Sequence, residues 1–127
     1  MPYTITHLEE KNILETTYRG RVKPTEVMTA ITKILVLAKK HKTNLFLVDC
    51  LELIDDKVLF FENYKLGVDL TKIIQKIPQE VKDAIILPRS AQAADNIRFF
   101  ETVAINRGLN VCLFRNREDA LDWLLDK

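Results

Sequence analysis

The sequence predicts an α/β domain, and three observations carry that expectation. Three short apolar runs, "LFLV" (45–48), "AIIL" (84–87) and "VCLF" (111–114), have the length of strands and carry no polar residue for a solvated face. Longer segments with apolar residues at helical spacing alternate with them. The 127-residue chain fits one domain with a real core, and 3 Gly and 4 Pro leave no sign of a linker or low-complexity stretch. Strands alternating with helices imply parallel pairing and right-handed crossovers.

The elements follow in order. "YTITHL" and "NILETTYRG" are rich in Thr, Ile and Tyr, and the charged, Asn-bearing "EEKN" between them marks a hairpin turn. From Pro24, a favoured first-turn residue, Val27, Ala30, Ile31, Ile34, Leu35 and Ala38 lay one stripe along a helix. Lys39, Lys40, His41 and Lys42 gather at its carbonyl end, where cations suit the dipole. "LFLV" is the central strand. A second helical pattern follows over "VLFFENYKLGVDLTKIIQKI", with Leu59, Leu66, Leu70, Ile73 and Ile77 on one side, a break or kink at Gly67 and an end at Pro78.

After "AIIL", a third helix begins at Ser90 and stops at Gly108, with Ile97, Phe100 and Ala104 facing inward. After "VCLF", Asn116 caps the last helix, Asp119 stands three residues on, and Ala120, Leu121, Leu124 and Leu125 form its stripe. The order is β-β-α-β-α-β-α-β-α: one domain over 1–127, a mixed, mostly parallel five-stranded sheet with an N-terminal β-hairpin and four helices.

Composition narrows function by exclusion. Nineteen basic and eighteen acidic residues give a net charge of +1, too little to grip nucleic acid. The apolar stretches fall short of the roughly 20 residues that span a membrane, and "MPYTITHLEEKN" lacks the apolar region of a signal peptide, so a cytoplasmic protein is expected. Cys50 and Cys112 lie in or beside apolar runs without CxxC or Cys/His grouping, as reduced cysteines in or near a core do.

Two places invite chemistry. The stretch "LFLVDCLELIDDK" turns abruptly acidic, with Asp49, Glu52, Asp55 and Asp56 beyond the apolar run. Ligands in open α/β sheets collect beyond the carboxyl ends of strands, and paired carboxylates suit Mg²⁺. A phosphoryl-receiver site also wants a Lys after a later strand, and Arg115 stands there instead; Asp55 or Asp56 as cap of the next helix accounts for them better. The second place is "PRSAQ", where Arg89 and Ser90 at a helix start could hold a phosphate. It lacks the glycines of a nucleotide loop, which favours a capping Ser with a solvated Arg. His7 and His41 come with no nucleophile elbow, so no general base is named and no enzyme, metal or cofactor is expected. Phe60, Phe61 and Tyr64 are core residues or the lining of a groove or partner surface.

The strand ending in "LVD", the helix "RFFETVAINRG", the strand "NVCLF" and the closing "REDALDWLL" together resemble the SpoIIAA-like proteins, bacterial relatives of the STAS and Sec14-type domains. The resemblance covers nearly the whole chain. It implies strands in sequence order with the main helices mostly on one face of the sheet. It also implies a cytoplasmic protein without assigned chemistry. STAS antagonists of anti-sigma factors are switched by phosphorylation of a Ser or Thr after the central strand; the comparable "LELIDDK" has no hydroxyl, so that switch does not carry over. Asp56 there could act only as a fixed, weaker mimic of a phosphoserine. The function expected is a non-enzymatic regulatory or protein-interaction module, the alternative a small apolar-ligand binder or carrier. If helices cover one face only, strands apolar on both faces need a second copy of the chain on the other, in a two-fold dimer burying about 800 Å² per partner.

Overall fold

The computed structural model describes residues 2–54, 68, 69, 72, 73, 75–77 and 80–126. Its strands are β1 (Tyr3–Leu8), β2 (Ile13–Gly20), β3 (Leu45–Leu53), β4 (Lys82–Ile86) and β5 (Asn110–Phe114). They form one sheet in the order β1-β2-β3-β4-β5. β1 and β2 pair antiparallel, and β2 through β5 run parallel, as the sequence predicts. Three helices are fully described: α1 (Pro24–His41), α2 (Ala91–Asn106) and α3 (Arg117–Leu124). Of the second helical pattern, Val68, Asp69, Lys72 and Ile73 are described and helical; Leu59, Leu66, Gly67, Leu70 and Pro78 lie outside the described residues.

The helix ends follow from local chemistry. Pro24 opens α1, and the Glu26 carboxylate accepts the Lys23 N–H at 2.9 Å, which satisfies a donor left free at the first turn. Lys42 ends the helix in the left-handed conformation (φ 53°), with cations in the last turn as anticipated. Ser90 caps α2 by accepting the Ala93 N–H, and Gly108 at φ 87° lets the chain turn away. Asn116 caps α3, accepting the Asp119 N–H at 2.9 Å. At the hairpin, Asn12 takes φ 53°, a conformation that Asn tolerates better than most residues.

Strand β3 corrects one expectation. The acidic stretch does not begin a loop after Asp49; the strand runs on to Leu53, so Asp49 and Glu52 are strand residues. The two strands stay paired past an irregularity in which Thr17 to Arg19 of β2 spans Asp49 to Glu52 of β3, one residue more: Thr17 lies opposite Asp49, Arg19 opposite Glu52 and Gly20 opposite Leu53.

Sheet order decides where the helices go. Parallel strands laid down in sequence order, each crossover of the same hand, put every crossover helix on one face. Accordingly α1 and α2 share a core: Ala30 of α1 and Ala104 of α2 lie with Tyr3, Tyr18, Cys50, Ile85 and Val111. A neighbouring cluster adds Leu14 and Phe46 beneath Ile34 and Ala38 of α1. α3 follows the last strand and is no crossover. It folds onto the opposite face, where Ala120 and Leu124 pack on Ile13, Leu47, Ala84 and Ile86. Trp123 lies beside Phe114, ring centroids 5.7 Å apart, with the Lys82 ammonium over its indole.

The three apolar runs are therefore covered on both sides within one chain, which removes the premise for a second copy. What α3 leaves uncovered on that face is polar. Thr4 and Thr6 are exposed, Thr17 and Asp49 half-buried, and Glu15 is buried in an ion pair with Arg117. This part of the sheet can face water without an aggregation penalty.

Candidate functional site

The carboxyl ends of β2 to β5 are where an open sheet of this kind presents a site. Each described residue that the sequence singles out there is held by the fold itself. The Asp49 side chain accepts the Leu51 N–H at 3.0 Å, a local bond of the kind that Asp makes where backbone donors are free. Arg89 forms an ion pair with Glu52 at 3.0 Å, both side chains more than half exposed, and its own N–H bonds Leu51 O at 3.2 Å. Ser90 is a helix cap. Arg89 and Ser90 thus come together beside Glu52 from β3, whereas Asp49 points to the α3 face through its register with Thr17 and Ile86. Asp55, Asp56, Phe60, Phe61 and Tyr64 lie outside the described residues. At the end of β3, Ile54 bonds Gly20 O through its N–H at 2.8 Å and leaves half its surface (51%) exposed.

No group of three or more His, Cys, Asp or Glu side chains with metal-holding geometry occurs among the described residues. Cys50 is buried, and burial, with the charges of Asp49 and Asp83, pushes its thiol well above the ordinary range. Burial also raises Cys112, helped by Glu101. Neither thiol is readily ionised, in keeping with core cysteines rather than nucleophiles. Arg117 is held in its charged form by the hydrogen bond it donates to the Glu15 carboxylate, with the charges of Glu15 and Asp49 adding to the effect.

Sequence reasoning missed three features. Asp83, at the start of β4 and on the α1 and α2 face between Phe46 and Val111, is a carboxyl whose Oδ1 is shut from solvent and has no hydrogen-bond partner among the described residues. Burial raises its pKa to about 7. A lone Asp just ahead of an apolar strand was its only trace in the sequence. Next, His7 of β1 and His41 of α1 stack, centroids 3.7 Å apart and planes 19° apart, with His7 Nε2 and Asn12 Oδ1 at 2.8 Å. Desolvation lowers the His41 pKa, and His7 and Lys40 lower it further. No spacing rule joins residues 7 and 41.

The third is a cleft of 540 Å³ between the last turns of α1 and residues Ile73, Lys76 and Ile77. Leu35, Ala38, Ile73 and Ile77 line it together with Thr43 and the exposed Lys39, Lys42 and Lys76. The helical stripe anticipated the apolar residues, but not the gap that the segments leave between them. Compared with known proteins, the chain matches no family model and no curated protein. No described helix is long and apolar enough to cross a membrane.

Proposed function

We propose that the chain is a non-enzymatic regulatory module of the SpoIIAA-like kind, working in the cytoplasm by binding another protein at the carboxyl edge of its sheet. One observation carries this reading. At that edge Asp49 and Ser90 are spent on the chain's own backbone, while Ile54 stands half-exposed by the exposed Glu52–Arg89 pair. An apolar anchor rimmed by charges suits protein recognition. Among the described residues it offers no base held near a nucleophile. The absence of a hydroxyl in "LELIDDK" fits binding that a Ser/Thr kinase does not switch there.

Affinity purification of the wild type beside Glu52→Arg and Arg89→Glu tests the proposal. A discrete protein should be retained by the wild type and lost from both variants, and should bind again as a purified pair. Equal retention by all three would overturn it.

A further inference from the structure

The end of α1 is tied to the β1–β2 turn through Asn12, and the bonds of Asn12 fix a hydrogen on the ring beside it. The Asn12 Nδ2 group donates to His41 O at 3.1 Å, so Oδ1 is the atom that faces His7 Nε2 at 2.8 Å. An amide oxygen only accepts, and His7 Nε2 therefore carries a hydrogen. A further proton on that ring goes to Nδ1 and leaves the bond to Asn12 in place. The Asn12 backbone joins the tie as well, its carbonyl accepting the hydroxyl of the buried Thr43. Over this tie His7 of β1 and His41 of α1 lie face to face, centroids 3.7 Å apart and planes 19° apart. Two neutral rings, or one charged and one neutral, pack well in that way. Two imidazolium ions at that distance repel one another.

We infer that this stack is a proton-sensitive clasp: it holds the end of α1 on the β1–β2 turn while the two rings share at most one added proton, and it opens when both are charged. The second proton falls to His41. Desolvation, His7 of β1 and Lys40 of α1 all oppose a charge there, while Glu9 of the turn favours it, so opening lies on the acid side of the ordinary imidazole range. Lys42 and Thr43 are the residues that opening releases, because the N–H groups of both bond Ala38 O at the helix end. Asn12 and Lys42 stand on the two sides of the tie, each in the left-handed conformation at φ 53°. A residue with a Cβ keeps that conformation where its surroundings hold it, so the strain on both sides favours release once the stack is lost. The clasp lies at the amino ends of β2 and β3, where His7 pairs with Leu14 and Thr43 receives the Leu45 N–H at 3.2 Å. Its opening is therefore independent of a partner docked beside Ile54.

Solution NMR of the whole chain from about pH 8 to about pH 4.5 tests it, by the ring protons of both histidines and by backbone amide exchange corrected for intrinsic rates. The rings should take up their two protons in separate steps, the second bound about tenfold more weakly than the first. At the second step the ring protons should lose the shifts that stacking imposes. Exchange at Lys42 and Thr43 should quicken at least about tenfold there, while the amides of β4 keep their protection. His41→Phe keeps a flat ring against His7 without a second charge, and it should remove the acid step at Lys42 and Thr43. Stacking shifts that survive full titration of both rings would overturn the clasp. So would protection at Lys42 and Thr43 that holds throughout, loss of protection in β4 at the same step, or an acid step that persists in His41→Phe. Should that variant fail to fold, the wild-type titration decides the matter, because the first three results are read on it alone.

Discussion

Replacing Asp83 with Asn should stabilise the protein at neutral and alkaline pH and leave it almost unchanged near pH 4. Burial lifts this carboxyl from 3.8 to about 7 in the folded chain. Between those values the folded state holds a proton that the unfolded state has lost. The contribution of Asp83 to stability is therefore fully present below about pH 4 and falls as pH rises, by up to about 1.4 kcal/mol per unit. Above the folded value both states are ionised and the loss is complete. The rise from 3.8 to about 7 makes that loss of the order of 4 kcal/mol. Asn has nearly the same shape and stays neutral throughout, and Oδ1 has no partner among the described residues in either case, so the desolvation of a charge is what disappears. Urea unfolding of both proteins from pH 4 to pH 8 gives the difference in stability at each pH, in which His7, His41 and the remaining carboxylates cancel. A difference that does not change with pH, or a wild type that gains on the variant as pH rises, would refute the reasoning, because either result requires a partner for the carboxylate.

Other outcomes follow from the same geometry. Arg117→Ala should cost about 1–3 kcal/mol in urea unfolding, because it strands the Glu15 carboxylate, whose side chain is only 11% exposed. Removing both partners, as Glu15→Gln with Arg117→Ala, should recover much of that loss. Leu47→Ala should cost about 2–5 kcal/mol, since Leu47 is fully buried under α3, and a loss below about 1 kcal/mol would mean that α3 does not seal that face. Calorimetry with Mg²⁺, Mn²⁺ and Ca²⁺ should reveal no site tighter than millimolar, because Asp49 is engaged with the Leu51 N–H. A micromolar site lost in Asp49→Asn would contradict this.

Periodicity and caps made most of the fold legible in advance. The hairpin, the parallel strands and the α1, α2 and α3 ends at Pro24, Ser90 and Asn116 all rest on short-range signals, and those signals act locally. The extension of β3 to Leu53 was not legible, because it depends on pairing past a register shift with β2 residues more than thirty positions earlier. The side taken by α3 was hidden for a related reason. Handedness constrains crossovers but leaves a terminal helix free, and the expectation of a dimer arose from that gap. At the candidate site the capping role of Ser90 was read correctly from one residue type. The Glu52–Arg89 pair, the His7–His41 stack, the setting of Asp83 between Phe46 and Val111, and the cleft lined by Lys39, Lys42 and Lys76 each join residues distant in the chain. Only the assembled sheet brings them together.

The most direct test of the interaction reading places a photo-cross-linking residue at Ile54, with matched controls at Val36 and Ile105, which are exposed to 51%, 66% and 50%. Exposure of half or more at each makes the three positions usable as baits, while of the three only Ile54 follows Glu52 closely in the chain, at the end of β3. In the native host, position 54 should yield one discrete cross-linked protein that positions 36 and 105 do not. The same products from all three positions, or none from position 54, would contradict the claim that the carboxyl edge of the sheet is where this protein binds its partner.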